Sequence, residues 1–199
     1  MPDTPRFPVD RPPTATRRLR LALLAESLLT GVWVTLAALP LVTALPALAA
    51  GCAHLRRHLH HEATGLRRFL TDCGEGLRRG WRTATAWTAG ALLLVADALI
   101  AGSGLPGGPV FLLTSALGLV LLLVVGLRTA ATRPPGAPWR GLVRAAARRT
   151  LADPAGSLLL AAGLLVVAVS AWQLPPLAAP ATGCLTLAAV AVEQRTATD

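Results

Sequence analysis

The sequence predicts an all-α fold: a polytopic transmembrane bundle of about five or six membrane helices, two basic amphipathic interfacial helices and cytoplasmic termini. Apolar residues make up 53% of the 199 residues, and the mean hydropathy is +0.56. Only 15% of the residues are charged, whereas soluble domains carry about 25%. The same hydrophobicity excludes a disordered chain. Finally, long apolar runs alternate with segments rich in arginine, which supplies all 19 cationic residues.

The order of these runs divides the chain into an arm and one membrane domain. Residues 1–20 are rich in proline and hold five arginines, which predicts a disordered basic arm. Residues 21–195 form a single transmembrane domain, because a membrane helix needs about 20 mainly apolar residues. The predicted spans are 21–39, 44–56 (short or re-entrant), 84–103, 110–127, 156–172 and 177–192.

The last apolar run must contain two of these helices. Residues 154–192 carry no formal charge over 39 positions, which is too long for one crossing of about 20 residues. The sequence QLPP at residues 173–176 supplies the break, since proline cannot continue a helix and restricts the residue before it.

The first apolar run, residues 21–53, leaves two topologies open. A single crossing would place the five N-terminal arginines outside the cell, against the rule that basic loops stay in the cytoplasm. A hairpin that breaks at Pro40 and returns through a short helix starting near Pro46 would keep them inside. We favour the hairpin, with Pro40, Thr43 and Pro46 as its broken-helix motif.

Two basic segments predict which loops face the cytoplasm. Residues 56–82 hold seven arginines and residues 128–149 hold six, so both are expected in the cytoplasm of a bacterial cell. Each segment also has an apolar stripe at helical spacing, which is typical of a helix that lies among lipid headgroups. The alternative is a cytoplasmic helix whose stripe packs on the protein itself.

The region of the first break resembles a known family. Trp33, residues 39–43 (LPLVT) and residues 46–50 (PALAA) are similar to the YesL family of bacterial membrane proteins, a domain of unknown function. Family members follow this turn with a basic segment containing a phenylalanine, here Phe69, and then with apolar hairpins. The resemblance implies an integral protein of the cell membrane, associated with carbohydrate uptake, and it implies no catalytic residues.

Two acidic residues lie inside the predicted spans. A charge at the bilayer centre costs about 2.5–3.5 kcal/mol on insertion scales, so such residues are functional candidates. Glu26 is close to the cytoplasmic end and is expected to reach Arg20 or Arg57. Asp97 has no basic residue in its own hairpin, so it is the candidate for coupling to protons or solute.

Three histidines give a weaker candidate site. His54, His58 and His61 recur at helical spacing beside Glu62, and zinc uses such imidazoles. However, the neighbouring arginines repel a cation, so an interfacial basic stretch is the favoured interpretation. We predict no metal, no cofactor and no enzymatic activity.

The expected partners follow from the same features. Anionic lipid headgroups account for the basic charge, and the chain lacks a nucleic-acid-binding module. An ATP-driven sugar importer or a second copy of the chain would contact small-residue helix faces such as those of Gly90, Ala91, Gly118 and Gly163. The predicted role is therefore accessory to a transport system. The alternative is a transporter or channel in its own right that uses Asp97 and the broken helix.

Overall fold

A computed structural model describes residues 13–59, 65–103, 107–134 and 137–195. Their regular structure is entirely helical, which confirms the all-α class for this part of the chain. The elements in chain order are α1 (Pro13–Ala37), a 3-10 turn (Leu41–Thr43), α2 (Ala44–Leu59), α3 (Leu66–Ala101), α4 (Gly108–Thr132), α5 (Trp139–Ala152), α6 (Pro154–Gln173) and α7 (Pro175–Arg195).

Four of these helices, α3, α4, α6 and α7, are long and apolar enough to cross a membrane. Their most apolar stretches have hydropathies between 1.5 and 2.8, yet only 6% to 33% of those residues are buried inside the protein. Exposed apolar area costs roughly 25 cal/mol per Å² in water, so outward faces of this kind are suited to a lipid environment. The chain therefore has the helices expected of a membrane protein.

The helix breaks lie at the prolines. Helix α6 ends at Gln173 and α7 begins at Pro175, as the QLPP sequence predicts. Helix α1 ends at Ala37, and the Thr43 hydroxyl closes the following turn by donating to the carbonyl oxygens of Ala37 and Pro40. Pro46 falls in the first turn of α2, where its missing N–H costs no helical hydrogen bond.

The start of α1 lies inside the segment that the sequence predicts as a disordered arm. Residues 13–20 are helical, while residues 1–12 fall outside the described part of the chain. Helix α1 therefore adds more than two turns before the apolar run begins at residue 21.

The first basic segment differs from its prediction, because it is not a separate interfacial helix. Residues 66–101 form one continuous helix, α3, whose first half is basic and whose second half is apolar. Its glycines do not interrupt it, and Gly80 lies directly against the neighbouring helix α5. A Cβ on Gly80 would lie 2.6 Å from Cε2 of Trp139, the first residue of α5.

The apolar stripe of this basic half is covered by protein only in part, because Phe69 and Cys73 are buried whereas Leu66, Leu70 and Trp81 are exposed. Phe69 is fully buried, and its ring packs 5.7 Å from that of Trp33. Ala47 and Ala50 of α2 belong to the same buried cluster. The first segment therefore packs one part of its stripe on the protein and leaves the other part exposed, whereas α5 is a separate helix, as predicted.

Helix α2 is the centre of the bundle although it has only 16 residues. It contacts α1, α3, α4 and α7, and nine of its residues are buried. The turn before it lies beside α3, where Thr88 Oγ1 donates to Leu41 O over 3.1 Å. From Thr88, α3 continues to Ala101, a further rise of about 20 Å. The turn between α1 and α2 therefore does not reach as far along the bundle as the tip of the α3–α4 hairpin.

The first and last helices close the bundle through glycines. A Cβ on Gly31 of α1 would lie 2.7 Å from the backbone nitrogen of Gly183 in α7. A Cβ on Gly183 would lie 2.8 Å from the carbonyl carbon of Ser27. Beside this crossing, the hydroxyl groups of Thr35 and Thr182 are 3.0 Å apart. Small residues allow this backbone approach, as they do in other membrane helix pairs.

Glycines that the sequence offered as partner contacts pack inside the chain. A Cβ on Gly118 would meet Leu94 at 3.3 Å, and one on Gly163 would meet Leu185 at 2.8 Å. Gly90 similarly faces Leu122 at 3.5 Å. These positions join α3 to α4 and α6 to α7, so their small size serves the fold of the single chain.

Candidate functional site

A buried cation joins three parts of the chain at the end of α4. Arg128 is the first charge after the uncharged part of α4, and its side chain is fully buried. Its Nη2 lies 2.7 Å from Asp153 Oδ2, and its Nη1 lies 3.0 Å from Glu193 Oε1. The guanidinium therefore ties α4 to the start of α6 and to the end of α7. A buried charge requires partners of this kind.

Both carboxylates of this cluster have a second partner. Asp153 is the N-cap of α6 and accepts from the Gly156 N–H at 2.9 Å. Glu193 accepts from Arg149 Nη1 of α5 at 3.1 Å. Gly156 must stay small, because a Cβ there would lie 2.8 Å from Arg128 Nη2. The cluster thus connects the ends of α4, α5, α6 and α7.

The pKa of Asp153 makes part of this cluster sensitive to acid. The hydrogen bonds from Arg128 and from the Gly156 N–H hold the pKa of this carboxyl below its ordinary value of 3.8. A carboxylate with a lowered folded-state pKa stabilises the fold above the ordinary value. This contribution is lost as the pH falls through the lowered value.

We therefore expect a difference between wild type and Asp153→Asn in detergent. Between neutral pH and pH 3, the midpoint of thermal unfolding should fall more steeply for wild type, because only wild type loses this carboxylate. At pH 7 the variant should be the less stable protein. Parallel pH profiles for the two proteins would contradict the role of Asp153.

A cavity of about 430 Å³ lies beside the charged cluster. It is open where α2, α4, α5 and α7 meet, and it has both charged and apolar walls. Arg56 on one wall donates through Nη2 to Arg133 O at 2.6 Å and through Nη1 to Ala131 O. These bonds satisfy carbonyl groups at the end of α4, which have no partner within the helix. The lining residues are Arg56, Ala131, Thr132, Arg149, Val190, Glu193 and Gln194.

Glu26 pairs with histidine and not with Arg57, one of the two arginines predicted for it; the side chain of the other, Arg20, lies outside the described residues. Its Oε1 lies 2.7 Å from His54 Nε2 and 4.0 Å from His58 Nδ1. Arg57 instead pairs with Asp72 of α3. The His54 side chain is fully buried, with its ring edge on Trp33 at 5.2 Å and its Nδ1 without a hydrogen-bond partner. The Glu26–His54 pair links α1 to α2.

The same contacts show where two of the three histidines of the weaker candidate site lie. His54 is buried and lies 2.7 Å from Glu26 Oε1, whereas His58 lies 4.0 Å from the same oxygen. His61 and Glu62 lie outside the described residues. Within the described ranges, no three ligand-type side chains form a group that could hold a metal ion.

Asp97 lies on the exposed face of α3, one turn before the helix ends at Ala101. Leu93 and Ile100 on either side of it are 64% and 58% exposed. Within the described ranges its carboxylate forms no hydrogen bond or ion pair. The structure therefore places Glu26 beside His54 and His58. Asp97 and the helix break at residues 40–46 lie apart from this group.

The fold and the charged cluster define the class of this protein: an all-helical protein, over its described residues, that has four helices able to span a membrane and ion pairs that join its helix ends. No protein-family model, no curated protein and no solved structure matches the chain. The similarity to the YesL family stays a prediction from the motifs around Pro40 and Pro46.

Proposed function

We propose that the chain is a multi-pass protein of the bacterial cell membrane whose arginine-rich segments and two termini are cytoplasmic. Its α3–α4 and α6–α7 hairpins cross the bilayer, and the shorter α1–α2 pair enters and leaves on the cytoplasmic side. The distribution of arginine supports this arrangement. The described tips of the hairpins carry none, whereas the opposite ends contain Arg56, Arg128 and Arg149.

We further propose that its role is non-enzymatic, as an accessory or regulatory subunit of a transport system. One observation carries this proposal: the carboxylates inside the described bundle hold helices together. Glu26 binds His54, Asp72 binds Arg57, and Asp153 and Glu193 bind Arg128. Side chains committed to such contacts suit a scaffold. The YesL-like motifs suggest carbohydrate uptake as the process.

Affinity purification from the native host tests this role. We expect a tagged chain to retain the subunits of an ATP-driven sugar importer in mild detergent. Deletion of the chain should reduce sugar uptake, and the Arg128→Met variant should not restore it, because the bundle that the partner contacts is loosened. Unchanged uptake of every sugar tested, together with no retained importer, would contradict the accessory role.

A transporter acting alone is the second candidate, and the position of α2 favours it. Broken helices often line solute sites in transporters, and here the helix after the break lies at the centre of the bundle. Liposomes that hold only this protein distinguish the two roles. The accessory role predicts no sugar flux. Flux that Asp97→Asn abolishes would instead establish the transporter.

A further inference from the structure

The cavity beside Arg128 has unused hydrogen-bond donors on one wall. Arg149 is 47% exposed, and Nη1 is the one guanidinium nitrogen that bonds to Glu193. Its Nη2 and Nε have no partner among the described residues, although a guanidinium carries five N–H donors. The cavity is also lined by Arg56, whose Nη atoms cap α4. The cavity is thus lined by one arginine whose Nη atoms are already hydrogen-bonded and by a second arginine with free donors.

The charges around the cavity favour an anion. Three arginines, Arg56, Arg128 and Arg149, surround two carboxylates, Asp153 and Glu193, which leaves one positive charge. Both oxygens of Glu193 already accept from arginine. An incoming anion therefore meets neutralised carboxylates and free N–H groups. Arginine binds phosphate oxygens well because its planar fork matches their geometry.

The cavity also has apolar lining residues, which indicate what kind of anion would fit it. Ala131 and Val190 form part of the wall, and Leu151, two residues beyond Arg149, is 80% exposed. A volume of about 430 Å³ lies within the range of roughly 300–1,000 Å³ that is usual for ligand pockets. Such a site suits a phosphate that is attached to an apolar body. Basic pockets between membrane helices on the cytoplasmic side bind anionic lipid headgroups in this way.

We propose that this cavity binds the phosphate group of an anionic phospholipid from the cytoplasmic leaflet, with Arg149 and Arg56 as its ligands. Bound there, the lipid contacts α2, α4, α5 and α7 together and stabilises their junction. The inference uses the membrane placement but is independent of the accessory role. A soluble phosphate ester has the same headgroup chemistry without the apolar body, so the two sources can be separated.

Thermal unfolding in a neutral detergent gives the test. We expect phosphatidylglycerol to raise the unfolding midpoint, and phosphatidylcholine at the same mole ratio to leave it unchanged. Arg149→Gln should weaken the apparent affinity for phosphatidylglycerol about tenfold, because it removes a charge-assisted contact. Arg148→Gln is the matched control. It removes the same charge from the same helix at an exposed position outside the cavity lining, so it should preserve the affinity.

A second variant protects the test against a folding defect in Arg149→Gln. Thr132→Phe fills the cavity without changing its charge, and it should abolish the lipid effect in the same way. Equal losses in Arg148→Gln and Arg149→Gln, or full lipid binding by Thr132→Phe, would overturn the site. Stabilisation by glycerol 3-phosphate equal to that by phosphatidylglycerol would overturn the lipid assignment.

Discussion

Gly183→Ala should destabilise the protein by about 1–3 kcal/mol or more, although alanine favours a helix over glycine by about 1 kcal/mol. The added Cβ would lie 2.8 Å from the carbonyl carbon of Ser27, and no side-chain rotation can relieve a clash with backbone. Helices α1 and α7 would have to separate. Gly31→Ala should act in the same direction, because its Cβ faces the backbone of α7.

The chain offers matched controls for this prediction. Gly74 in α3 and Gly141 in α5 are exposed helical glycines with nothing near an added Cβ. Gly74→Ala and Gly141→Ala should therefore be neutral or stabilising by up to about 1 kcal/mol. Thermal unfolding in detergent compares the four variants, and about 2–4 °C is expected per kcal/mol. Equal midpoints for Gly183→Ala and Gly74→Ala would contradict the close crossing of α1 and α7.

The second large effect concerns the buried cation. Arg128→Met should cost about 3–5 kcal/mol, because it leaves Asp153 and Glu193 with one fewer compensating charge in a buried place. Arg128→Met combined with Glu193→Gln should recover part of the loss, since the uncompensated carboxylate is then removed. This recovery would show that the loss of stability comes from the unpaired carboxylate and not only from the smaller volume of the side chain.

Arg79→Gln is the control for a surface charge. Arg79 pairs with Glu75 within α3 at 3.1 Å, and both side chains are exposed. Exposed pairs of this spacing contribute about 0.3–0.5 kcal/mol, so this variant should unfold close to wild type. If Arg128→Met unfolded at the same temperature as Arg79→Gln, the cluster would not be what joins the helix ends.

Proline and charge placement made the helix ends predictable. The breaks at Pro40 and at residues 173–176 follow from backbone chemistry, which acts locally and needs no knowledge of neighbours. The continuity of α3 through Gly74, Gly76 and Gly80 was not predictable in this way. Helix propensity counts against these glycines, whereas the packing of Trp139 against Gly80 depends on a residue that is distant in the chain.

The sequence does contain a signal for the charged cluster, although the sequence analysis did not use it. Asp153 and Glu193 stand at the two ends of the charge-free residues 154–192, and Arg128 ends the preceding apolar run. Once the runs are antiparallel helices, these three charges fall at one end of the bundle. The partner of Glu26 had no such signal, because several cations lie at similar distances along the chain. Only the packing of α1 against α2 selects His54 over Arg57.

Cysteine labelling tests most directly which side of the membrane the N-terminus and the hairpin tips face. In a Cys184→Ser background, the remaining Cys52 and Cys73 are buried. Single Asp3→Cys and Ser103→Cys variants then report on the N-terminus and on the tip of the α3–α4 hairpin. A membrane-impermeant maleimide should label Ser103→Cys in intact protoplasts, but Asp3→Cys only after the membrane is opened. Labelling of Asp3→Cys in intact protoplasts, or protection of Ser103→Cys, would contradict the proposed topology.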